Sequence, residues 1–222
     1  MLPTPDLSHL TSDDYRDVYE PAEDTFILLD ALEADSDFLH SLKPLICVEI
    51  GSGSGCVSVF AQKMLSRIPT IHICTDINPK ALQATNSTFH QNALPTPNLI
   101  RTSLTSSLRL NEMIDLLLFN PPYVPTSNEE YEGATSGFIE ASWAGGPIGM
   151  TLTNHLLNSL NQLLVPGRGV LYMVAVKENK PEEIIDRMRT RGFDARIVLK
   201  RRAGREYLHV LRISRSNLGD SS

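Results

Sequence analysis

Short unbroken apolar runs alternate along the chain with longer segments in which apolar residues recur every three or four positions. The run LICVEI at residues 45–50 has no alternation of polar and apolar positions, which is typical of a strand buried on both faces of a parallel sheet. Six further runs also predict strands, of which residues 98–104 are the weakest. The predicted strands cover residues 45–50, 70–76, 98–104, 114–120, 169–176, 195–200 and 207–213.

The segments between these runs have helical spacing, and two of them carry clear start signals. Asn78 followed by Pro79 predicts the cap and the first position of a helix. Pro21 followed by Glu23 and Asp24 predicts a second start, because the two acids face the positive end of the helix dipole. Helices are predicted over residues 21–42, 56–68, 78–93, 147–164 and 180–192.

Strands that alternate with helices in this way predict an α/β fold with a doubly wound, mainly parallel seven-stranded sheet. The last two strands flank RRAGRE without an intervening helix, so they are predicted to form a C-terminal antiparallel hairpin. No linker-like tract and no internal repeat divides the chain. One domain is therefore predicted over residues 19–216, with a flexible segment at residues 1–18 and a disordered tail at residues 217–222.

Composition excludes several classes of protein. The chain is 41% hydrophobic and 21% charged, which suits a protein with a globular core. Its net charge of −6 has the wrong sign for a protein that binds the phosphate backbone of a nucleic acid. Its three cysteines form no C-x-x-C pair, and its six histidines do not cluster like ligands, so neither a disulfide framework nor a metal site is predicted. Without a long apolar run or a secretory signal, the expected compartment is the cytoplasm, with nuclear presence left open.

A glycine-rich motif follows the first predicted strand directly. It reads EIGSGSG at residues 49–55, and a dinucleotide-binding motif would place its third glycine at position 56, where this chain has Cys56. A carboxylate at Glu49 suits a ligand with an ammonium and a sulfonium better than one with a pyrophosphate. Asp76 ends the second strand, where an acid can accept both hydroxyls of a ribose. A tight turn and a helix-start charge would explain each feature alone, but their order in a β-α-β unit favours a nucleotide-containing cofactor.

The sequence Asn120-Pro121-Pro122-Tyr123 ends the fourth predicted strand. Such residues are common in turns. However, the two prolines also make the backbone rigid and remove two N–H donors. The Asn120 side-chain oxygen and the Pro121 carbonyl are then a pair of acceptors that matches the two hydrogens of an NH2 group, and Tyr123 offers a flat face to a planar substrate.

In this order, the glycine motif, the acid after strand two and NPPY after strand four resemble class I methyltransferases that act on planar nitrogens. The stretches VYEPAEDTFILLDAL, CTDINPKAL, LLFNPPYVP, WAGGPIGM and KENKPEEI are similar to the eukaryotic and archaeal release-factor glutamine methyltransferase catalytic subunit. The resemblance runs from about Val18 to Ile213. It implies a Rossmann-like class I methyltransferase domain that uses S-adenosyl-L-methionine to methylate N5 of the glutamine in the GGQ motif of a class I translation termination factor.

The resemblance also implies roles for individual residues. Thr25 matches a family residue at the methionine end of the cofactor, and Asn120 matches the acceptor of the substrate amide. The family commonly has an acid after strand three that bonds the adenine amino group, whereas this chain has Ser103. Cofactor contacts are expected at Tyr19, Thr25, Glu49, Gly51, Gly53, Gly55, Asp76, Ile77, Ser103, Leu104 and Asn120, substrate contacts at Asn120, Pro122 and Tyr123, and catalytic roles at Asn120, Pro121 and Tyr123.

Other functions stay open at this point. The same pocket could serve an adenine N6-methyltransferase acting on nucleic acid, although the acidic composition and the short chain argue against it. A protein-lysine methyltransferase could use the same pocket too. A binding module without catalysis would be expected to lose the acceptor loop, and NPPY is intact here.

The resemblance further implies a partner, a small zinc-binding activator subunit, and a release-factor substrate that could arrive with its GTPase companion. In the usual strand order of this fold, residues 98–104 lie at the open edge of the sheet, and an unpaired apolar edge is an association site. A heterodimer through this edge is expected. No contact with a membrane and no direct contact with nucleic acid are expected.

Two further segments carry hypotheses. Residues 124–146, which include Trp143, are long and poor in regular signal, so they are expected to fold over the acceptor entrance. The basic turn at residues 200–205 has two explanations: a solvated turn that protects a sheet edge, which is favoured, or a contact with an acidic partner.

Overall fold

The computed structural model of the chain describes residues 2–123 and 150–216. Within these ranges, seven strands form one sheet in the order β3-β2-β1-β4-β5-β7-β6. The first five are mutually parallel, and β7 runs antiparallel to both β5 and β6. The strands are β1 (Ile46–Ile50), β2 (Ile71–Asp76), β3 (Asn98–Arg101), β4 (Leu116–Phe119), β5 (Val170–Val176), β6 (Phe193–Ala203) and β7 (Glu206–Arg215).

The helices cover both faces of the sheet, as the apolar runs require. Residues 116–119 of β4 and all of β5 are buried, which is why their sequences show no polar alternation. The predicted doubly wound sheet with its C-terminal antiparallel hairpin is confirmed. The helices in the described ranges are α1 (Glu23–Ala34), α2 (Ser36–Leu42), α3 (Cys56–Met64), α4 (Pro79–Gln91), α5 (Thr151–Leu163) and α6 (Pro181–Thr190).

Some predicted boundaries were wrong. The helix predicted over residues 21–42 begins at Glu23, after Pro21, and is divided at Asp35 into α1 and α2. The third strand ends at Arg101 and does not extend to residue 104. Its partner β2 ends at Asp76, so the N–H of Thr102 makes the last bond of the ladder, to the carbonyl of Asp76, and the chain then turns. The start of the helix predicted at residue 147 lies outside the described residues.

The N-terminal segment lies against α4. The Asn92 side chain, at the end of α4, exchanges two hydrogen bonds with the backbone of Asp6, of 2.8 and 2.9 Å. Further along, the Asn78 amide donates to the carbonyl of Asp17 at 2.6 Å, and Val18 is buried. These contacts bring residues 17–19 to the carboxyl ends of the strands. The domain limits and the flexibility of residues 1–18 stay predictions, and the tail at residues 217–222 lies outside the described residues.

The edge position of β3 is as the usual strand order predicted. Leu99 and Ile100 on this strand are half-buried, and the opposite edge of the sheet is β6. No helix in the described part of the chain is long and apolar enough to cross a membrane. The predicted cytoplasmic compartment stays a prediction.

Candidate active site

A cavity of about 660 Å³ opens at the carboxyl ends of β1, β2 and β4. This is where doubly wound sheets bind ligands, and the volume is in the range of small-molecule sites. Nearly all the residues predicted for the site meet here. The predicted residues that line the cavity are Tyr19, Thr25, Glu49, Gly51, Gly53, Asp76, Ile77, Ser103, Leu104, Asn120, Pro121, Pro122 and Tyr123.

Gly55 is placed differently, since it is not among the described residues that line the cavity. It precedes α3 with a φ of +81°, and a Cβ on it would lie 2.8 Å from the Cα of Thr85. The structure therefore gives this glycine a packing role between α3 and α4. Gly51 and Gly53 also have positive φ values, of +68° and +51°, but a Cβ on either would meet no atom within 4 Å.

The glycine loop is held by the neighbouring strand. The carbonyl of Thr75 accepts the N–H groups of Gly51 and Ser52 at 2.8 and 3.1 Å. Asp76 Oδ2 accepts the N–H of Gly53 at 3.1 Å. The end of β2 thus fixes residues 51–53 of the loop, which line the cavity.

Glu49 is a deeply buried acid of the site, with 3% of its surface exposed. The Ser58 hydroxyl donates to its Oε2, and the Cys74 thiol donates in turn to Ser58 at 3.2 Å. Burial raises the pKa of Glu49 to about 8, although the bond from Ser58 opposes the shift. A buried carboxyl with so little charge compensation favours a cationic ligand.

Asp76 lies at the end of β2 with both carboxylate oxygens in use. Its Oδ1 accepts the N–H of Asn78 at 2.8 Å, while its Oδ2 accepts the N–H of Gly53. Burial raises the pKa of Asp76, and these backbone bonds partly oppose the shift. Each carboxylate oxygen can accept more than one hydrogen bond, so the side chain retains capacity for two ligand hydroxyls.

The segment after β3 forms the next wall of the cavity. Ser103 is exposed and Leu104 has a φ of +51°. The hydroxyl of Thr102 donates to Ser107 at 2.9 Å, which ties this turn together. Ile77, 45% exposed, lines the cavity beside it. This wall therefore offers the hydroxyl of Ser103 and the apolar surface of Ile77 and Leu104, at a position where the family that the sequence resembles commonly has an acid.

At the carboxyl end of β4, the side chain of Asn120 has its two ends in different environments. Its Nδ2 donates to Asp24 Oδ2 at 3.1 Å. Its Oδ1 is buried and has no hydrogen-bond partner among residues 2–123 and 150–216. Pro121 is buried and Pro122 half-buried beside it. A buried carbonyl oxygen without a partner is costly, so it marks a position where a ligand donor can bind.

Asp24 is the residue that sequence reasoning missed. It was interpreted only as a helix-start charge, yet it is 3% exposed and accepts the hydroxyls of Tyr19 and Tyr123, each at 3.0 Å. Burial, followed by the charge of Asp24, raises the pKa of both phenols. Its position directly before Thr25 was the one signal available.

The C-terminal hairpin contributes a second unforeseen part. Ala203 and Glu206, on either side of its turn, line the cavity. Burial and the charges of Asp24 and Glu178 raise the pKa of Glu206. In the basic turn, Lys200 forms a salt bridge with Glu182, and Arg201 forms one with Asp30, so both basic side chains pair with acids of the same chain. The expected lid at residues 124–146, with Trp143, lies outside the described residues.

Comparison with known proteins gives consistent results along the chain. Residues 24–145 match the family model described as the methyltransferase small domain. The chain is 46% identical over 217 residues to methyltransferase HEMK2 of Mus musculus, covering 97% of this chain and 98% of the relative. It is 44% identical to the eRF1 methyltransferase catalytic subunit mtq2 of Schizosaccharomyces pombe, covering 97% and 96%.

A solved structure is similar over most of the chain as well. The structure of the E. cuniculi Mtq2–Trm112 complex, which is responsible for the methylation of the eRF1 translation termination factor, matches with a TM-score of 0.66 and 26% identity. The match covers 90% of this chain and 99% of that one. Similarity in sequence and in fold therefore extends over nearly the whole chain.

Proposed function

The chain belongs to the methyltransferase small domain family, and on that premise we propose that it methylates N5 of the GGQ glutamine in a class I translation termination factor. Relatives that cover nearly all of its length are named for methylation of eRF1 or as methyltransferases. The cavity supports the same conclusion, because the part of it that is lined by Asn120 and Pro121 suits a primary amide. The observation that carries the proposal is the buried, unpartnered Oδ1 of Asn120.

The cofactor proposed is S-adenosyl-L-methionine, and the residues of the cavity fit its parts. The buried carboxyl of Glu49 suits the ammonium, Asp76 suits the ribose hydroxyls, and Thr25 lies at the proposed methionine end. Ile77 and Leu104 offer apolar surface to the adenine, with Ser103 in place of the usual acid. When bound, this cofactor supplies an electrophilic methyl group attached to a sulfonium.

The chain's own contribution is to orient the acceptor. The nitrogen of an amide is a poor nucleophile because its lone pair is delocalised. Asn120 Oδ1 and the Pro121 carbonyl can accept its two hydrogens, which favours pyramidal nitrogen and stabilises the positive charge that develops there. Tyr123 packs against the plane of the amide. Holding both reactants in this way can contribute up to about 7–11 kcal/mol in ideal intramolecular cases.

The nitrogen must also lose a proton. Among the described residues that line the cavity, none is His or Lys. Asp24 Oδ2 already accepts three side-chain donors. We therefore propose that the proton leaves after methyl transfer or late in it, when the nitrogen has become acidic, and that no basic side chain removes it beforehand.

We further propose that the chain works as a heterodimer with a small zinc-binding activator subunit. The related Mtq2 forms a complex with Trm112. The proposed contact is the edge of the sheet at β3 and the residues after it, where Leu99 and Ile100 are half-buried and the outer side of the strand has no strand beside it within the described residues. The GTPase companion of the release factor is proposed as part of the substrate complex.

The test uses the heterodimer, S-adenosylmethionine labelled in its methyl group, and a purified class I release factor. Mass mapping of tryptic peptides then locates the methyl. A matched release factor with Asn in place of the GGQ glutamine serves as the control, and duplex DNA and a lysine-rich peptide serve as competing acceptors. Label on the GGQ glutamine that disappears in the control supports the proposal; label on DNA alone overturns it.

A further inference from the structure

Three side chains that line the cavity, those of Tyr19, Asn120 and Tyr123, donate hydrogen bonds to the carboxylate of Asp24. It lies in the first turn of α1, and its Oδ2 accepts from Tyr19, Tyr123 and Asn120 at 3.0, 3.0 and 3.1 Å. Its Oδ1 accepts the backbone N–H of Thr25 at 2.6 Å. All four of these partners are hydrogen-bond donors, as an ionised carboxylate, which can only accept, requires.

This arrangement determines which way Asn120 faces. A side-chain amide has a donor end and an acceptor end of nearly the same shape, so its orientation depends on the groups around it. With Nδ2 bonded to Asp24, Oδ1 has to face the opposite way. The rotated amide would bring its oxygen against the carboxylate and would lose the bond from Nδ2 to Asp24 Oδ2. The orientation with a free Oδ1 is thus stabilised by a charge-assisted bond.

We propose that Asp24 is a positioning residue that orients the Asn120 amide so that its oxygen, and not its NH2 group, meets the acceptor nitrogen of the substrate. This inference rests on the proposed function, because it assumes that Asn120 accepts a hydrogen from the substrate amide. Asp24 acts through Asn120, and Tyr19 and Tyr123 help to hold the carboxylate in place by donating to the same oxygen, Oδ2.

The network has the features expected of a fixed support. Asp24 is 3% exposed, so its bonds are shielded from water and are stronger than surface bonds. Its position in the first turn of α1 places the negative charge at the positive end of the helix dipole. Burial and the charge of Asp24 raise the pKa of Tyr19 and Tyr123, so both phenols keep their protons and remain donors.

The variant that tests this role is Asp24→Asn, which keeps the size and one acceptor oxygen but adds an NH2 group that can donate to a rotated Asn120. The expected result with the release factor is a kcat lower by about 10- to 100-fold, as for other groups that orient a functional side chain. The cofactor dissociation constant is expected to stay within about threefold. Asp30→Asn is the matched control, because Asp30 lies on α1 and pairs with Arg201.

A double-mutant cycle separates positioning from a general structural role. If Asp24 acts only through Asn120, then Asp24→Asn should change kcat by less than about twofold in an Asn120→Ala background. An equal loss in both backgrounds, or a parallel loss of cofactor affinity and thermal stability, would overturn the proposal. An inactive wild-type heterodimer would instead count against the proposed function.

A spectroscopic measurement covers the case in which Asn120→Ala is too slow to assay. With ¹⁵N-asparagine labelling, the Asn120 NH2 signals are assigned by their loss in Asn120→Ala. One NH2 proton is expected to be shifted downfield by its bond to the carboxylate, to move upfield in Asp24→Asn, and to be unchanged in Asp30→Asn. An NH2 signal that is the same in wild type and Asp24→Asn would refute the orienting bond without any assay of activity.

Discussion

The carboxyl group of Glu49 and the hydroxyl of Ser58 form a buried hydrogen bond at the foot of the glycine loop, which brings the end of β1 and the first turns of α3 together. Glu49 lines the proposed cofactor cavity, and only 3% of it is exposed. Burial disfavours the charged form of Glu49, and the bond from Ser58 offsets only part of this effect. The pKa of Glu49 is therefore raised to about 8.

This pKa predicts that cofactor binding releases a proton. At pH 7 the free protein holds Glu49 mostly protonated, and a cationic ammonium beside it lowers the pKa, so about one proton should leave on binding. Affinity should therefore rise as the pH increases from 6 toward 8. Calorimetry at pH 7 in buffers of different ionisation enthalpy measures the release. Glu49→Gln should bind more weakly and release no proton; the same release in that variant would assign it to another group.

Asn120→Ala should reduce catalysis without preventing cofactor binding. The loss of a preorganised group that stabilises developing charge corresponds to about 2.7–4 kcal/mol in the activation free energy. The measurement is kcat on the release factor together with the cofactor dissociation constant by calorimetry. Asn161→Ala, an exposed asparagine on α5, is the matched control. A kcat within a few-fold of wild type would remove Asn120 from its proposed role.

Gly55→Ala should destabilise the protein more than Gly53→Ala. Both glycines have positive φ values, so each substitution carries backbone strain of about 1–2 kcal/mol. Only at Gly55 would the new Cβ also meet backbone, at 2.8 Å from Thr85 Cα, which forces α3 and α4 apart at a further cost of about 1–3 kcal/mol. Urea unfolding without cofactor gives both free energies, and equal values would contradict the packing role of Gly55.

Asp35→Asn should be far more destabilising than Asp30→Asn. Asp35 accepts from Tyr172 at 2.8 Å and from Arg212 at 2.7 Å, and the Arg212 side chain is only 9% exposed. Loss of the charge leaves a buried guanidinium without compensation, at a cost of about 2–4 kcal/mol in the free energy of unfolding. The exposed pair of Asp30 and Arg201 should contribute less than about 1 kcal/mol. Thermal or urea unfolding of both variants decides between these values.

Co-expression with the proposed activator should raise the soluble yield and the cofactor affinity. The reason is the edge strand β3, whose outer backbone groups and neighbouring apolar side chains have no strand beside them in the described part of the chain. Soluble protein and cofactor binding are compared after expression alone, with the activator, and with an unrelated small protein. A stable, fully active monomer would contradict the proposed heterodimer.

Much of the fold could be predicted because its signals are local. β4 and β5 are buried on both faces, so their runs of apolar residues are unbroken, and Asn78 caps α4 with its own side chain, as its position before Pro79 indicates. The boundaries that were wrong depend on contacts between segments. Strand β3 ends early because its partner β2 ends at Asp76, so that the N–H of Thr102 makes the last bond of the ladder. The pattern of residues 98–104 does not show where β2 ends.

The site divides in the same way. The sequence by itself determined the ends of β1, β2 and β4, because Glu49, Asp76 and Asn120 each lie at or next to the end of a predicted strand, and parallel strands bring such ends to one edge of the sheet. Only the tertiary structure decided which side chains support them. Asp24 meets Asn120 and Tyr123 across 96 and 99 residues of chain, and Glu206 reaches the same cavity from the last hairpin. A hydrogen bond forms only when two atoms lie within a few ångströms of each other, and the positions of two residues along the chain do not show whether folding brings them that close.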